Sequence, residues 1–503
     1  MNTEVTVAEP VVDDGPVSLW RMPRWYAAMF GADLLERFSF YGLQAVLVLY
    51  AAAPRAEGGL GLPLTEAAAL FGAWIGLTFT LALPGGWLGD RVLGQRPAML
   101  IGCGLSALGL AVLAVPGGVT GAIGLCLLAV GGGLFKPNQQ ALVNLMFGGN
   151  RGRESGISLM FVATQVSALL APLLIGVLGE RVNWSLAFAA CALAVLLAGA
   201  RIAAASKYLG GTGAGAAQRL EPVERARVVR RGTLGVAVLA GALTALGVAG
   251  LLGAPLLAAG ASLACLVCTI GGYLRLYRNP EHTPADRRRL RAFLAVLIGT
   301  TMFWIIVAHA GSLLNLFARD HVDRDVLGFV IPASWLQAVT PLLILLLAPA
   351  IAAVLPRIGR RNQVAVKFSL GLALVGAGFL VMALAATLAG GGRLVSPLWL
   401  VVVYLTSACG EVIIAAVAIA ATADVLPPRF LSRMLGLFWL FAALGGALGS
   451  GLVRLADVIA PPAYYLGLGV LALLCGAAFA LGRHRLSRAL TPDERPAGLA
   501  PIG

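Results

Sequence analysis

The chain is short of charge. Asp, Glu, Lys and Arg together make up 12% of its 503 residues, against roughly 25% in soluble domains. So few ionised groups could not cover the surface of a water-soluble protein of this length, and that class is excluded. Histidine is scarcer still, with four in the whole chain, and neither His-Glu-x-x-His nor Gly-x-Ser-x-Gly occurs. Little is left from which to build an enzyme, and none is expected. The seven cysteines (103, 126, 191, 265, 268, 409 and 475) all lie in apolar runs without disulfide or metal-ligand spacing, so they read as small core residues. Cys265 and Cys268 have Cys-x-x-Cys spacing but sit inside an apolar helix. Residues 1–22 are polar and acidic and lack an apolar core, so the start reads as a tail and not as a cleaved leader.

Apolar residues are abundant, at 59%. They fall into fourteen runs, at about 24–52, 64–89, 98–115, 119–146, 156–179, 184–206, 232–252, 255–275, 291–318, 326–355, 364–389, 396–423, 431–453 and 462–482. Most are long enough to cross a hydrocarbon core of roughly 30 Å. They show no period-two alternation, so they are helices and not barrel strands. An even number of crossings puts both termini on one side. With the N-terminus inside, 29 of the 37 Lys and Arg residues fall on the cytoplasmic side and 6 on the outer side, with Arg37 and Lys136 in the membrane. That bias is the positive-inside signal. It accounts for the net charge of +14 by topology, without a nucleic-acid partner.

The expected order is a cytoplasmic tail (1–23), a six-helix bundle (24–206), a linker with two inserted transmembrane helices (207–290), a second six-helix bundle (291–482) and a cytoplasmic tail (483–503). A faint repeat supports the halves. Gly85–Arg96, with Gly86, Asp90, Arg91, Gly94 and Arg96, follows the second span; Leu355–Arg361 follows the second span of the later half. Both end in aliphatic-Gly-x-Arg at a turn. Halves with a site between them are the architecture of many secondary transporters.

Charge inside a membrane costs about 2.5–3.5 kcal/mol on insertion scales, so the residues that carry it locate a site. The first span holds Asp33, Glu36 and Arg37, which helical spacing places near one face with Phe40, Tyr41 and Gln44. On one reading Arg37 binds a substrate carboxylate and the acids exchange protons; on the other, Asp33 and Arg37 neutralise each other and fix packing. In the fourth span, Pro137 breaks the backbone ladder beside Lys136, which is either a second cation for the same anion or a snorkelling lysine. Glu411 is an isolated acid in a late span, placed to meet an amine or carry a proton. His309 either titrates near neutral pH or is a buried, hydrogen-bonded ring. Two cations in the first half and one acid in the second make a dipolar cavity suited to a zwitterion.

Asp33–Gly42 is similar to the Glu-x-x-Glu-Arg-Phe-x-Tyr-Tyr signature of the proton-dependent oligopeptide transporters of the major facilitator superfamily. Phe135–Asn138, Gly311–Ala318, Gly328–Gln337 and Gly410-Glu411 resemble further stretches of that family, and Gly85–Arg96 resembles its superfamily's loop. The resemblance implies an all-α major facilitator fold of fourteen transmembrane helices in a bacterial inner membrane. It implies proton-coupled uptake of di- and tripeptides or peptide-like zwitterions by alternating access, with the proton as coupling ion and no cofactor. Arg37 and Lys136 would hold the carboxylate and Glu411 the amine. Asp33, Glu36 and Arg37 would couple protons, and Trp335 would line the cavity. The chain departs from the pattern at Asp33 (for Glu), at Phe40 and Phe79 (for tyrosines), at Met160–Gln165 in the fifth span, at Thr340 (for Asn) and at Ala308, where the family carries a protonatable Glu. His309 stands next to Ala308 but is rotated about 100° around the helix. Tyr41, Gln165 and Thr340 complete the expected binding set. The lost hydroxyls, amides and acid point to a larger or more apolar substrate, and to a second reading as an exporter or facilitator with weak proton coupling.

Overall fold

A computed structural model of the protein describes residues 18, 20–115, 117–147, 152–216, 219–248, 254–326, 328–358, 363–427 and 430–490. Residues 1–17 and 491–503 of the expected tails, Gly359 of the later loop motif, and Arg151, Arg360, Arg361, Arg429 and Arg495 of the topology count lie outside the described residues.

Fifteen α-helices run through those residues: α1 (Arg24–Ala52), α2 (Leu64–Leu88), α3 (Gln95–Leu113), α4 (Gly118–Phe147), α5 (Gly152–Val177), α6 (Trp184–Leu209), α7 (Pro222–Val248), α8 (Ala254–Tyr277), α9 (Pro284–Val307), α10 (Leu313–His321), α11 (Val339–Val354), α12 (Gln363–Leu388), α13 (Leu398–Asp424), α14 (Leu431–Leu452) and α15 (Pro461–Leu490). Twelve helices are long and apolar enough to cross a membrane, two fewer than the fourteen runs of the sequence. The two long helices outside that set carry charge. α1 contains Arg24, Asp33, Glu36 and Arg37, and the first turns of α7 contain Glu224, Arg225, Arg227, Arg230 and Arg231. The protein is a multi-pass membrane protein.

Two further runs are broken. The run 291–318 was expected as one span, but α9 ends at Val307 and the chain resumes as α10 after the turn 308–312. The run 326–355 opens as a hairpin (Asp325–Val326 with Phe329–Val330) and a 3-10 turn (Ala333–Ala338) before α11. Apolar periodicity reports burial and not the continuity of the backbone ladder, and Gly311-Ser312 is a weak helix former.

The helices associate in two groups. α1 packs on α5 and α6, α3 on α4 and α6, and α2 on α4; α12 packs on α13 and α15, α9 on α14 and α15, and α11 on α13. In each group a pair of helices meets backbone to backbone through glycine. A Cβ on Gly109 of α3 would lie 2.7 Å from the Gly124 carbonyl oxygen of α4, and one on Gly376 of α12 would lie 3.0 Å from the Gly469 oxygen of α15. The groups meet where α2 crosses α14 and α5 crosses α11, and α8 packs on both α2 and α14.

The segment after α2 serves packing at one end of the molecule. Gly94 adopts φ +93°, and a Cβ there would strike the backbone of Gly215. Arg96 donates to the carbonyls of Thr212 (2.7 Å) and Gly210 (2.5 Å), and Gln95 donates to Asp90 (2.8 Å). A Cβ on Gly86 would meet Pro137 of α4 at 3.3 Å. The loop motif thus clamps the connection between α6 and α7 onto the α2–α3 turn, and Arg91 joins it by accepting the Leu220 amide on its carbonyl (3.4 Å).

Candidate functional site

α1 positions its charges by helical geometry, but their partners are not those of the i+4 rule. Arg37 turns to its neighbour: its Nε and Nη2 donate to the two carboxylate oxygens of Glu36 at 2.6 and 2.7 Å. Asp33 is reached from α4, where Lys136 Nζ donates to Asp33 Oδ1 at 2.6 Å. The alternative reading of a self-neutralising Asp33–Arg37 pair does not hold: the two residues sit in separate ion pairs, Arg37 with Glu36 and Asp33 with Lys136. Asp33 is fully buried, its Oδ2 has no partner, and a quarter of the Lys136 side chain stays exposed. The Arg37 guanidinium lies on the face of Phe40, 4.6 Å from the ring centre.

Phe40 borders a cavity of about 200 Å³ between the two helix groups. α1 contributes Tyr41 and Gln44 to its wall, α2 Phe71 and Phe79, α5 Gln165, α9 Trp304, α11 Thr340, α13 Glu411 and α14 Trp439 and Ser450. Of the expected binding residues, Tyr41, Gln165, Thr340 and Glu411 are therefore brought together. Arg37 and Lys136 are not among the lining residues and are held in their ion pairs, with Arg37 resting on Phe40 of the wall. Glu411 is half-buried and has no hydrogen-bonded or ion-pair partner among the described residues. Phe79 and Trp439 stack across the seam between α2 and α14, with centroids 6.5 Å apart and planes 7° from parallel.

Two expected residues point elsewhere. Trp335 donates its indole N–H to the Leu173 carbonyl (3.0 Å) and packs on Phe329; it does not line the cavity. His309 is fully buried between α9 and α15, with Nδ1 2.8 Å from the Ile305 carbonyl and Nε2 2.7 Å from the Tyr464 hydroxyl. A carbonyl only accepts, so Nδ1 carries the proton in the neutral ring and Nε2 accepts from Tyr464. The ring faces away from the cavity, while its neighbour Ala308 lines it.

The cavity is closed at the end where α1 finishes and α2 begins. Asn315 and Gln337 both donate to the Ala45 carbonyl, at 2.8 and 3.2 Å. A Cβ on Gly72 would collide with Ser450 across the α2–α14 seam. The strongest link is one the sequence did not announce. Glu180, in the π turn that ends α5, accepts from the Ala333 amide (2.8 Å), the Ser334 amide (3.0 Å) and the Ser334 hydroxyl (2.5 Å). A carboxylate thus caps the 3-10 turn of the other helix group. Next to it, Arg181 lies over Phe329, 4.3 Å from the ring centre.

The profile of the POT family (PTR2) matches residues 97–213 and 254–466, more than half of the chain. This chain belongs to the POT family. It is 32% identical over 444 residues to the peptide transporter YePEPT of Yersinia enterocolitica, covering 85% of this chain and 86% of that one. It is 29% identical over 473 residues to the uncharacterised transporter YclF of Bacillus subtilis, covering 93% and 95%. A solved structure of a mutant peptide transporter POT in complex with alafosfalin is 30% identical and superposes with a TM-score of 0.87, covering 95% of this chain and 98% of that one. As a POT-family member the chain is built around an all-helical transporter fold. Within it, Phe40 and Phe79, the two phenylalanines that depart from the signature, both line the cavity, as does Ala308 in place of the expected acid. Trp304, Trp439, Phe71 and Ser450 of the wall carried no signal in the sequence, because each lies in an unbroken apolar run.

Proposed function

We propose that this POT-family chain is a secondary active transporter that couples protons to the movement of di- and tripeptides or peptide-like zwitterions. In this reading fourteen crossings, α1 and α7 included, place both termini in the cytoplasm and the Glu180 clasp at the outer face. The segments 24–206 and 291–482 form the two bundles, and residues 207–290 insert between them. The observation that carries the reading is the position of Glu411: an unpaired carboxylate in the wall of a cavity between two helix groups that are fastened at one end. An amine bound there would meet its counter-ion, and parting of the Glu180 and Gly72–Ser450 contacts would open the fastened end. The peptide-transporter relatives support the substrate class, and the ion-paired cluster of Asp33, Glu36 and Arg37 is assigned to proton coupling. Protons from the membrane gradient and the lipid bilayer are the remaining partners.

The test is uptake of labelled dipeptides into proteoliposomes under an imposed pH gradient. Accumulation that collapses with the gradient is expected. Equilibration without accumulation favours the second reading, a facilitator or exporter with weak proton coupling. One observation supports that second reading: Ala308 faces the cavity where an acid was expected, and His309 is turned away toward Tyr464.

A further inference from the structure

Three cations converge far from the cavity, on the perimeter of the first helix group, where α1 begins and α6 ends. Tyr208 of α6 stands between two of them. The Arg24 guanidinium of α1 lies 5.9 Å from its ring centre, and the Lys207 ammonium lies 5.0 Å from it. The third, Arg201, precedes Lys207 on α6 by about 9 Å of helix rise, so it sits deeper in the membrane. Its side chain lies across α1 in a slot that Gly31 leaves open: a Cβ on Gly31 would come within 2.6 Å of Arg201 Nε. There it makes one long hydrogen bond, from Nη2 to the Ala27 carbonyl at 3.4 Å. All three cations are exposed, and none forms an ion pair among the described residues. An arginine at that depth, facing lipid with most of its N–H groups unmatched, is costly unless an anion meets it. Further along α6, Leu193 and Leu197 are exposed, and helical spacing sets them on one face with Arg201 and Tyr208. Topology accounts for the side of the membrane on which these cations fall. It does not account for their convergence from two helices around one ring, or for the slot at Gly31.

We infer that this face of α1 and α6 is a binding site for one anionic phospholipid. The Arg201 guanidinium offers a fork for two phosphate oxygens. Arg24 and Lys207 surround the headgroup, Tyr208 holds them apart, and an acyl chain lies along Leu193 and Leu197. A basic pocket between helix ends at the membrane surface is the form that recognises lipid headgroups. A zwitterionic lipid brings the same phosphate but also an ammonium, which the three cations repel, so net negative charge is selected. The proposed orientation places the site in the cytoplasmic leaflet; nothing else in the inference depends on the transport reading.

The purified full-length protein is titrated with dioleoyl phosphatidylglycerol or dioleoyl phosphatidylcholine, and bound lipid is counted by native mass spectrometry. One phosphatidylglycerol is expected to bind about tenfold more tightly than phosphatidylcholine. Arg24→Gln, Arg201→Gln and Lys207→Gln combined are expected to abolish that preference. Arg225→Gln, Arg227→Gln and Arg231→Gln combined remove as much charge from exposed positions of α7 and are expected to keep it. Gly31→Ala removes no charge but places a methyl against the Arg201 guanidinium, and is expected to weaken phosphatidylglycerol by about threefold. It keeps the test open should the triple variant fail to fold. Soluble glycerol phosphate is expected not to displace the lipid; displacement would assign the site to a free phosphate and overturn the inference. Equal affinity for the two lipids, an equal loss in the α7 variant, or binding unchanged by Gly31→Ala overturns it as well. None of these outcomes bears on peptide uptake, which is measured separately.

Discussion

The helix group α1–α6 and the group α9–α15 handle buried charge in different ways. In the first, four ionisable side chains lie close together and close on one another: Glu36 with Arg37, Asp33 with Lys136. In the second, Glu411 stands alone at the cavity, and His309 is bound to neutral groups away from it. Glu180 belongs to the first group by sequence, yet its carboxylate accepts its hydrogen bonds from Ala333 and Ser334 beyond α10. The difference separates three roles. Paired charges neutralise one another, Asp33 with Lys136 tying α1 to α4, an unpaired charge is held for a ligand, and a charge bound across the seam fastens one end of the molecule.

The largest effect that tests this division is on stability, and it has opposite signs in the two groups. Lys136→Met strands the buried Asp33 carboxylate, and loss of one partner of a buried pair costs about 3–5 kcal/mol. Lys136 is a quarter exposed, so the lower end is expected, read as a drop in the denaturation midpoint of the purified protein. Asp33→Asn combined with Lys136→Met is expected to recover most of it. Glu411→Gln removes a charge that has no partner, so the midpoint should hold or rise while gradient-driven uptake falls. If Glu411→Gln destabilises as Lys136→Met does, Glu411 has a structural partner and the contrast between the groups fails.

The clasp at the closed end ranks next. Glu180→Gln replaces one acceptor oxygen with a donor that faces an N–H or O–H of the Ala333–Ser334 turn. Hydrogen bonds to a charged group contribute about 1.5–3 kcal/mol, so the closed end is expected to open by a factor on the order of tenfold or more in population. Spin labels on cysteines introduced at the exposed positions Glu57 and Arg393, one in each group, would report it as a second, longer distance. An unchanged distance distribution would show that Asn315, Gln337 and the Gly72–Ser450 contact hold this end without Glu180.

Part of this arrangement was legible in the sequence. The cluster in α1 was visible because charge in an apolar run is costly, and so were Glu411 and the departures at Phe40, Phe79 and Ala308, all of which reach the cavity. The pairings were not visible. Spacing on one helix says which side chains share a face, but whether Asp33 meets Arg37 or Lys136 depends on how closely α4 approaches, and that is set by packing with α2 and α3. Glu180 was hidden for the same reason: at the end of an apolar run an acid reads as solvated, and its partners lie about 150 positions further along the chain. The breaks at 308–312 and 333–338 were missed because buried turns keep the apolar composition of the helices they interrupt.

His309 gives the smallest expected effect and the finest test of the contrast between cavity-facing and packing groups. Sequence position made it a candidate proton carrier beside Ala308; the structure buries it fully against Phe379 and Tyr464. His309→Phe keeps a flat ring for Phe379, which lies edge-on with centroids 5.5 Å apart, and deletes the hydrogen bonds to Ile305 and Tyr464. The Tyr464 hydroxyl is then left buried without its partner, for a loss of about 1–2 kcal/mol. Because the ring does not border the cavity, the dependence of uptake on the pH gradient should match that of the unaltered protein once the amount of folded transporter is equalised. Loss of that dependence with folding intact would mean that protons pass through the α9–α15 interface, and that the second group carries titrating chemistry away from Glu411.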